Sequence, residues 1–404
     1  MVVAARRYDA LVVGAGPAGS AVATLLAQTG VRVALVDRAV FPRPKACAEY
    51  LSPEAGRVLA RLGALPAVEA ERPARLAGMR VVSPDGTSFA GRFSGARAFR
   101  PFAEHGLALP RERLDYVLAG AAVAAGATLF ERTRLERLDR EPGGAIVAAL
   151  RSARAVERLQ AAVVVGADGL GSRVARWMGV ARRAARQRLA LVAHVADARD
   201  VGELGEMHVA AGAYVGLAAV GHGLTNVAAV ADLAALSAGD PEARWRAILA
   251  RFPRVAERLA GATRVSPVRA VGPFSRWTTR ATGDGALLVG DAADFYDPFT
   301  GEGIYAALRG AELAAARLRP ALEAGDLGRR RLRGYDRDRL RTFGGKWLLE
   351  RAIGLAVSTP RILDHVAHRL ARRPDLADLL VGATGDFVPV HHVLNPVVAL
   401  RLLW

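Results

Sequence analysis

The chain has 404 residues, 52% of them hydrophobic and 24% charged, with a formal net charge of +17 and a single cysteine, Cys47. That length holds two domains and a large core, and one thiol excludes an internal disulfide framework and implies a reducing, cytoplasmic setting. Only Lys45 and Lys346 are lysines, so arginine supplies the rest of the 56 basic residues; it is scattered among few aromatics, which argues against a nucleic-acid surface and for a solvated arginine-biased one, with attraction to anionic membranes or acidic ligands as the alternative.

From the N-terminus, "DALVVGAG" (9–16) is an apolar strand, "PAGSAVATLLAQTG" (17–30) a helix begun by Pro17 and ended by Gly30, and "VRVALVD" (31–37) a second strand. No signal peptide precedes them. Ser52 and Pro53 cap a helix through "EAGRVLARLGAL". "MRVVSPDGTSFAGRF" (79–93) alternates about a Pro-Asp-Gly turn, which predicts a hairpin. "PRERLDYVLAGAAVAAG" (110–126) reads as a helix, the segments flanking "EPGG" as a hairpin, and "AAVVVGADG" (161–169) as a buried strand.

Between 187 and 275 the pattern turns to strands: "QRLALVAHVAD", "GAYVGLAAV" and "LTNVAAVADL", with one helix in "DPEARWRAILARF". "GALLVGDAAD" (285–294) is again a buried strand, "GEGIYAALRGAELAAARL" (301–318) a long helix, and the remainder mostly helical. The longest run without a charge or strong polar group, "VAAGAYVGLAAVG", is shorter than the ~18 residues of a membrane-spanning helix. His194 and His222 fall on a strand and a turn and read as structural or solvent-facing. No His or Cys spacing indicates a metal site.

Three motifs carry chemistry. Gly14-x-Gly16-x-x-Gly19 joins strand to helix, with Asp37 closing the next strand. Glycines there permit a tight turn and let backbone amides approach a pyrophosphate, while an acid at that place accepts from a ribose. Gly290-Asp291 ends the strand at 285–289, and Gly301-Glu302-Gly303 opens the following helix, presenting bare amides and a positive dipole end to an anion. Asp168-Gly169 follows the strand at 161–166, with Ser172 as cap of the next helix; alone, that is an ordinary strand-turn-helix corner.

Together the three motifs resemble those of FAD-dependent enzymes with the p-hydroxybenzoate hydroxylase fold, over nearly the whole chain. "FPRPKAC" (41–47) and "DPFTGEGIYAALRG" (297–310) are most similar to the geranylgeranyl reductase branch. The resemblance implies an α/β (α+β) fold: a discontinuous Rossmann-like FAD-binding domain (1–75, 105–180, 278–325), an interleaved sheet-based substrate domain (76–104, 181–277) and a C-terminal helical segment (326–404). It implies noncovalent FAD, with NAD(P)H as a transient reductant that has no Rossmann domain of its own. The cofactor-binding residues it implies are Gly14, Gly16, Pro17, Ala18, Gly19, Asp37, Arg38, Arg43, Lys45, Arg111, Asp168, Gly290, Asp291, Gly301, Gly303 and Ile304.

The sequence departs from the branch in two places. Cys47 is followed by Ala48 where geranylgeranyl reductases carry Cys-Gly, and the strand signature Tyr-x-Trp-x-Phe-Pro keeps only Tyr214. The Trp-x-Trp-x-Ile-Pro signature of flavin halogenases is absent. Monooxygenation of a lipophilic aromatic or polyketide-like substrate with O2 is therefore the first expectation, reduction of prenyl double bonds the second, and a non-catalytic flavin or ligand-binding protein the alternative of another class. Cys47 and Tyr214 are the candidate chemical groups, with Cys47 expected to serve packing. The apolar C-terminal "NPVVALRLLW" and the net charge suggest peripheral membrane contact.

Overall fold

The computed structural model describes residues 6–153, 155–183, 187–236, 239–295 and 297–398. Strand β1 (Arg6–Val13) has Ala10, Leu11 and Val12 fully buried, as suits a parallel strand covered by helices on both faces. It turns through Gly14 into α1 (Pro17–Ala27), with Pro17 at the start and Gly30, at φ +82°, just past the end. β2 (Val33–Val36) lies parallel to β1. Ser52 stands at the N-cap of α2 (Pro53–Arg61), but its buried hydroxyl has no hydrogen-bond partner, so Pro53 rather than a side-chain cap opens that helix.

β3 (Gly78–Val82) and β4 (Ser88–Arg92) form the predicted hairpin, where Asp85 Oδ1 accepts from the Ser83 hydroxyl and the Thr87 amide. The chain then passes through α3 (Arg111–Ala124), β5 (Thr128–Phe130), the hairpin β6 (Arg134–Arg140) and β7 (Ile146–Arg151), and β8 (Val156–Gly166). β5 pairs with β2, and β8 with β1, both parallel.

A second sheet follows, built from β9 (Arg188–Ala196), β10 (Leu204–Ala210), β11 (Ala213–Ala219) and β12 (Leu224–Asp232), in the order β9-β12-β11-β10-β3-β4. β10 had no clear signal in the sequence because Glu206 and His208 interrupt its apolar pattern. Both are buried: they meet at 2.8 Å, and Arg258 closes on Glu206 at 2.6 Å. The helix α4 (Pro241–Leu249) packs Trp245, Ile248 and Leu249 against one face of this sheet.

β13 (Ala286–Leu288) returns to the first sheet, which then runs β13-β8-β1-β2-β5. The long helix α5 (Gly303–Glu323) lies against α1. The helices α6 (Gly334–Ser358), α7 (Pro360–Ala371) and α8 (Pro374–Thr384) close the structure. Tyr335 of α6 donates its buried hydroxyl to Leu288 O at 3.0 Å, while α7 and α8 lie along β4, so this segment is tied to both sheets. Among the described residues no helix is long and apolar enough to cross a membrane. The end of the apolar C-terminal stretch, 399–404, lies outside the described residues.

Candidate active site

The three glycines after β1 do three different things. Gly14 has φ +102°, and a Cβ there would meet Ala167 O, at the end of β8, at 2.4 Å. A Cβ on Gly19 would stand 1.8 Å from the Gly14 carbonyl oxygen. Those two glycines let α1 sit directly on the sheet. Gly16 has an ordinary extended backbone, and the nearest atoms to its missing Cβ are guanidinium nitrogens of Arg43 and Arg111, both at 3.7 Å. The result is bare backbone at a helix N-terminus facing two cations, a cradle for an anion.

Both arginines are aimed by one carboxylate. Asp115, fully buried on α3, takes Arg111 through two contacts (2.8 and 2.9 Å) and Arg43 at 3.1 Å. Burial alone would lower the Arg111 pKa, but Asp115 and Cys47 outweigh it and hold the guanidinium charged. Asp37 holds the turn with one bond per oxygen, Oδ2 accepting from the Ala15 amide and Oδ1 from the Ala39 amide, each at 2.9 Å, and each oxygen keeps a further lone pair. Arg38 beside it is exposed.

From Gly16, Pro17 and Ala18 a cavity of about 140 Å³ runs across to the second sheet. Lys45 to Ala48 form one wall, and Gly290, Asp291, Gly301, Gly303 and Ile304 another. Gly290 (φ +56°) approaches Ala18 so closely that a Cβ would lie 2.9 Å from it, which brings the Asp291 turn against α1. Glu302, at the N-cap of α5, pairs with Lys346 at 2.8 Å, and the bare start of that helix is left to the cavity. The far wall is apolar and small: Ala190, Val192, Gly216, Ala228 and Val230. Tyr214 adds its ring there, but its hydroxyl donates to Asp297 Oδ1 at 2.7 Å, and Asp297 also pairs with Arg188. Burial, then Asp297, raise that phenol pKa well above the usual value, and the hydrogen bond to Asp297 fixes the ring in the wall.

Ala167, Gly169 and Leu170 line the cavity; Asp168 Oδ2 accepts from the Arg173 amide at 2.6 Å and shapes the turn into the next helix, while its buried Oδ1 has no hydrogen-bond partner among the described residues. Burial raises its pKa. Ser172 caps that helix as expected, accepting from Ala175 N at 2.9 Å.

The loop with Lys45 and Cys47 is fixed by a residue that carried no sequence signal. Glu49 is buried in a left-handed conformation (φ +61°), and its carboxylate collects the Arg111 amide (2.8 Å), Asn226 Nδ2 (2.8 Å) and His194 Nε2 (2.6 Å). Asn226 Nδ2 also donates to Cys47 O at 2.9 Å, and the Glu49 amide donates to Cys47 Sγ at 3.3 Å. One carboxylate thus joins the loop, α3 and the second sheet. Cys47, half-buried, lines the cavity together with Arg111. The Lys45 pKa is lowered, chiefly by burial and then by Arg111.

Burial works against a charged His194, yet Glu49 more than offsets it and raises the imidazole pKa. A raised folded-state pKa contributes stability that is full below the unfolded value of ~6.5 and is lost as pH rises through the folded value. Thermal melting across this range should therefore show a stability advantage of the wild type over His194→Asn that shrinks as pH rises. A pH-independent difference would remove the charged pair.

The chain matches the FAD binding domain family over residues 7–344. It is 32% identical to digeranylgeranylglycerophospholipid reductase of Methanothrix thermoacetophila, over 98% of each chain. Among solved structures it is similar to a flavoprotein/dehydrogenase from Cytophaga hutchinsonii (TM-score 0.86, 22% identity, 98% of this chain and 96% of that one). It is also similar to a geranylgeranyl bacteriochlorophyll reductase-like protein from Thermoplasma acidophilum (TM-score 0.74, 23% identity, 98% and 96%). On the family match and the 32% relative, the chain belongs to the FAD-dependent oxidoreductases of the geranylgeranyl reductase and p-hydroxybenzoate hydroxylase fold.

Proposed function

We propose that the chain is an FAD-dependent reductase of double bonds in a lipid-borne prenyl chain, with NAD(P)H as the source of electrons. The observation that carries this reading is the position of Cys47: a thiol in the wall of a cavity that Arg111 and the small apolar residues of the second sheet also line. Hydroxylation, which the sequence placed first, needs no thiol there. The full-length relative named as a prenyl-lipid reductase supports the same choice.

The residues present fit FAD, because the bare face at Gly16 leaves room that a side chain would fill and two cations point into it. The amides from Gly14 to Gly19, with Arg43 and Arg111, would hold its pyrophosphate. Asp37 would serve the adenosine ribose, Asp291 the pyrophosphate and ribityl region, and Gly303 with Ile304 the ring. Bound there, FAD supplies hydride to the substrate.

The protein supplies the rest. Cys47 holds a proton at Sγ that is given to carbon, and solvent returns a proton to the sulfur afterwards. The small apolar wall seats the prenyl chain and keeps water out. The N-terminus of α5 stabilises negative charge that develops beside it. A lipid substrate also brings the chain to a membrane, and each arginine near an anionic surface contributes about 1 kcal/mol of attraction.

Gly16→Val should leave the apoprotein folded, since nothing lies within 3.7 Å of the new Cβ, but block the pyrophosphate. The expected result is a colourless protein whose apo melting temperature matches the wild type's. Full flavin absorbance would contradict the cradle. Cys47→Ser should keep FAD and lose at least about tenfold in prenyl reduction, or ~1.4 kcal/mol of barrier. A loss below about twofold, with oxygen-dependent hydroxylation of the lipid, would restore the monooxygenase reading.

A further inference from the structure

Trp277 sits on a short strand, Arg276–Thr278, paired on one side with Ala181–Arg183 and on the other with Asp294–Phe295. The backbone is well held, yet the indole is 50% exposed. A cleft opens on each side of it. One, of about 370 Å³, is floored by Leu170 and Asp291 at the edge of the flavin cavity. The other, of about 660 Å³, shares Phe295 with that cavity and adds a second indole, Trp347.

The first cleft is rimmed by Arg176, Arg183 and Arg276. None of the three forms an ion pair with a described carboxylate, although pairs such as Arg32–Asp9 and Arg317–Asp338 are frequent elsewhere. Arg276 bonds to the carbonyls of Leu170 and Pro273, and Arg176 to those of Gly171 and Ser172. The Arg276 pKa is lowered by burial, then by Arg183 and Arg176. The acids of the second cleft are partly spoken for: Asp294 by Arg339, and Asp336 by Ala281 N and Thr282. Unneutralised guanidiniums facing one another are unfavourable unless an anion enters among them, and phosphate matches their fork. An exposed indole beside them offers a face for a planar base.

We propose that the surface around Trp277 docks the phosphate-bearing half of the dinucleotide reductant, the arginines taking phosphate and Trp277 the adenine. This rests on the reading that a nicotinamide dinucleotide reduces the flavin. The chain's single dinucleotide fingerprint belongs to FAD, so the reductant needs a site of another kind, and this one borders the flavin cavity.

The test is calorimetry of 2′,5′-ADP with the FAD-loaded wild type, Trp277→Leu and Arg183→Gln, alongside anaerobic reduction of the flavin by NADPH. Residues 183 and 277 are exposed, so both variants should fold and keep FAD. The fragment should bind the wild type, more weakly as salt rises, and at least tenfold more weakly to each variant. The half-saturating NADPH concentration should rise by the same factor while the limiting rate stays within twofold, a split that damaged folding would not produce. Unchanged affinity in both variants overturns the site even if NADPH still reduces the flavin. Binding of the fragment that depends on Trp277, with no reduction by NADPH, sinks the reductant reading and with it this ligand assignment. Tighter binding of dihexanoylphosphatidylglycerol than of 2′,5′-ADP would reassign the arginines to a lipid headgroup and overturn the nucleotide.

Discussion

The Gly14 carbonyl oxygen occupies the space where a side chain on Gly19 would begin, 1.8 Å from the ideal Cβ. That contact fixes how α1 leaves the first sheet, and the other parts of the site take their places from it. Gly14 is pressed against the end of β8, and Gly290 against Ala18, so three strand ends and two helix starts converge within side-chain reach. Because glycine stands at each close approach, the surface left between them is backbone, rich in amides and open to an anionic group. Arg43 and Arg111 complete it, held in place by the buried carboxylate of Asp115.

Chemistry at such a surface needs the second sheet to stand at a fixed distance, and Glu49 provides that. Its carboxylate binds groups from α3, β9 and β12, while its own amide bonds to the Cys47 sulfur. A buried carboxylate with three donors is well satisfied, whereas loss of one partner would leave charge stranded in a poorly solvated place. The loop carrying Lys45 and Cys47 is therefore anchored at its far end, with the half-buried thiol packed against the core of the first sheet.

Much of this was legible in the sequence because it is local. The strand-glycine-helix-strand run through Asp37, the Gly290-Asp291 turn and the opening of α5 at Gly303 each declare themselves through neighbouring residues. What could not be read is long-range or hidden by polarity. Glu49 meets His194 and Asn226 only because two sheets come together, and its left-handed backbone leaves no composition signal. β10 was obscured by Glu206 and His208, which look like loop residues until Arg258 is brought to them by the fold. The hydrogen bond from the Arg173 amide to Asp168 Oδ2, which shapes the turn into the next helix, also had no signal beyond the motif itself. The arginines around Trp277 come from separate segments and gather only in the folded chain.

The central claim is that electrons pass from this flavin to carbon rather than to oxygen. Its most direct test is a single turnover without air: the FAD-loaded protein, fully reduced, is mixed with a prenylated phospholipid, and the flavin absorbance and the mass of the lipid are followed together. The account predicts that the oxidised flavin spectrum returns in the absence of oxygen while the lipid gains two hydrogens. A flavin that stays reduced until oxygen is admitted, with a lipid that then gains an oxygen atom, would contradict it.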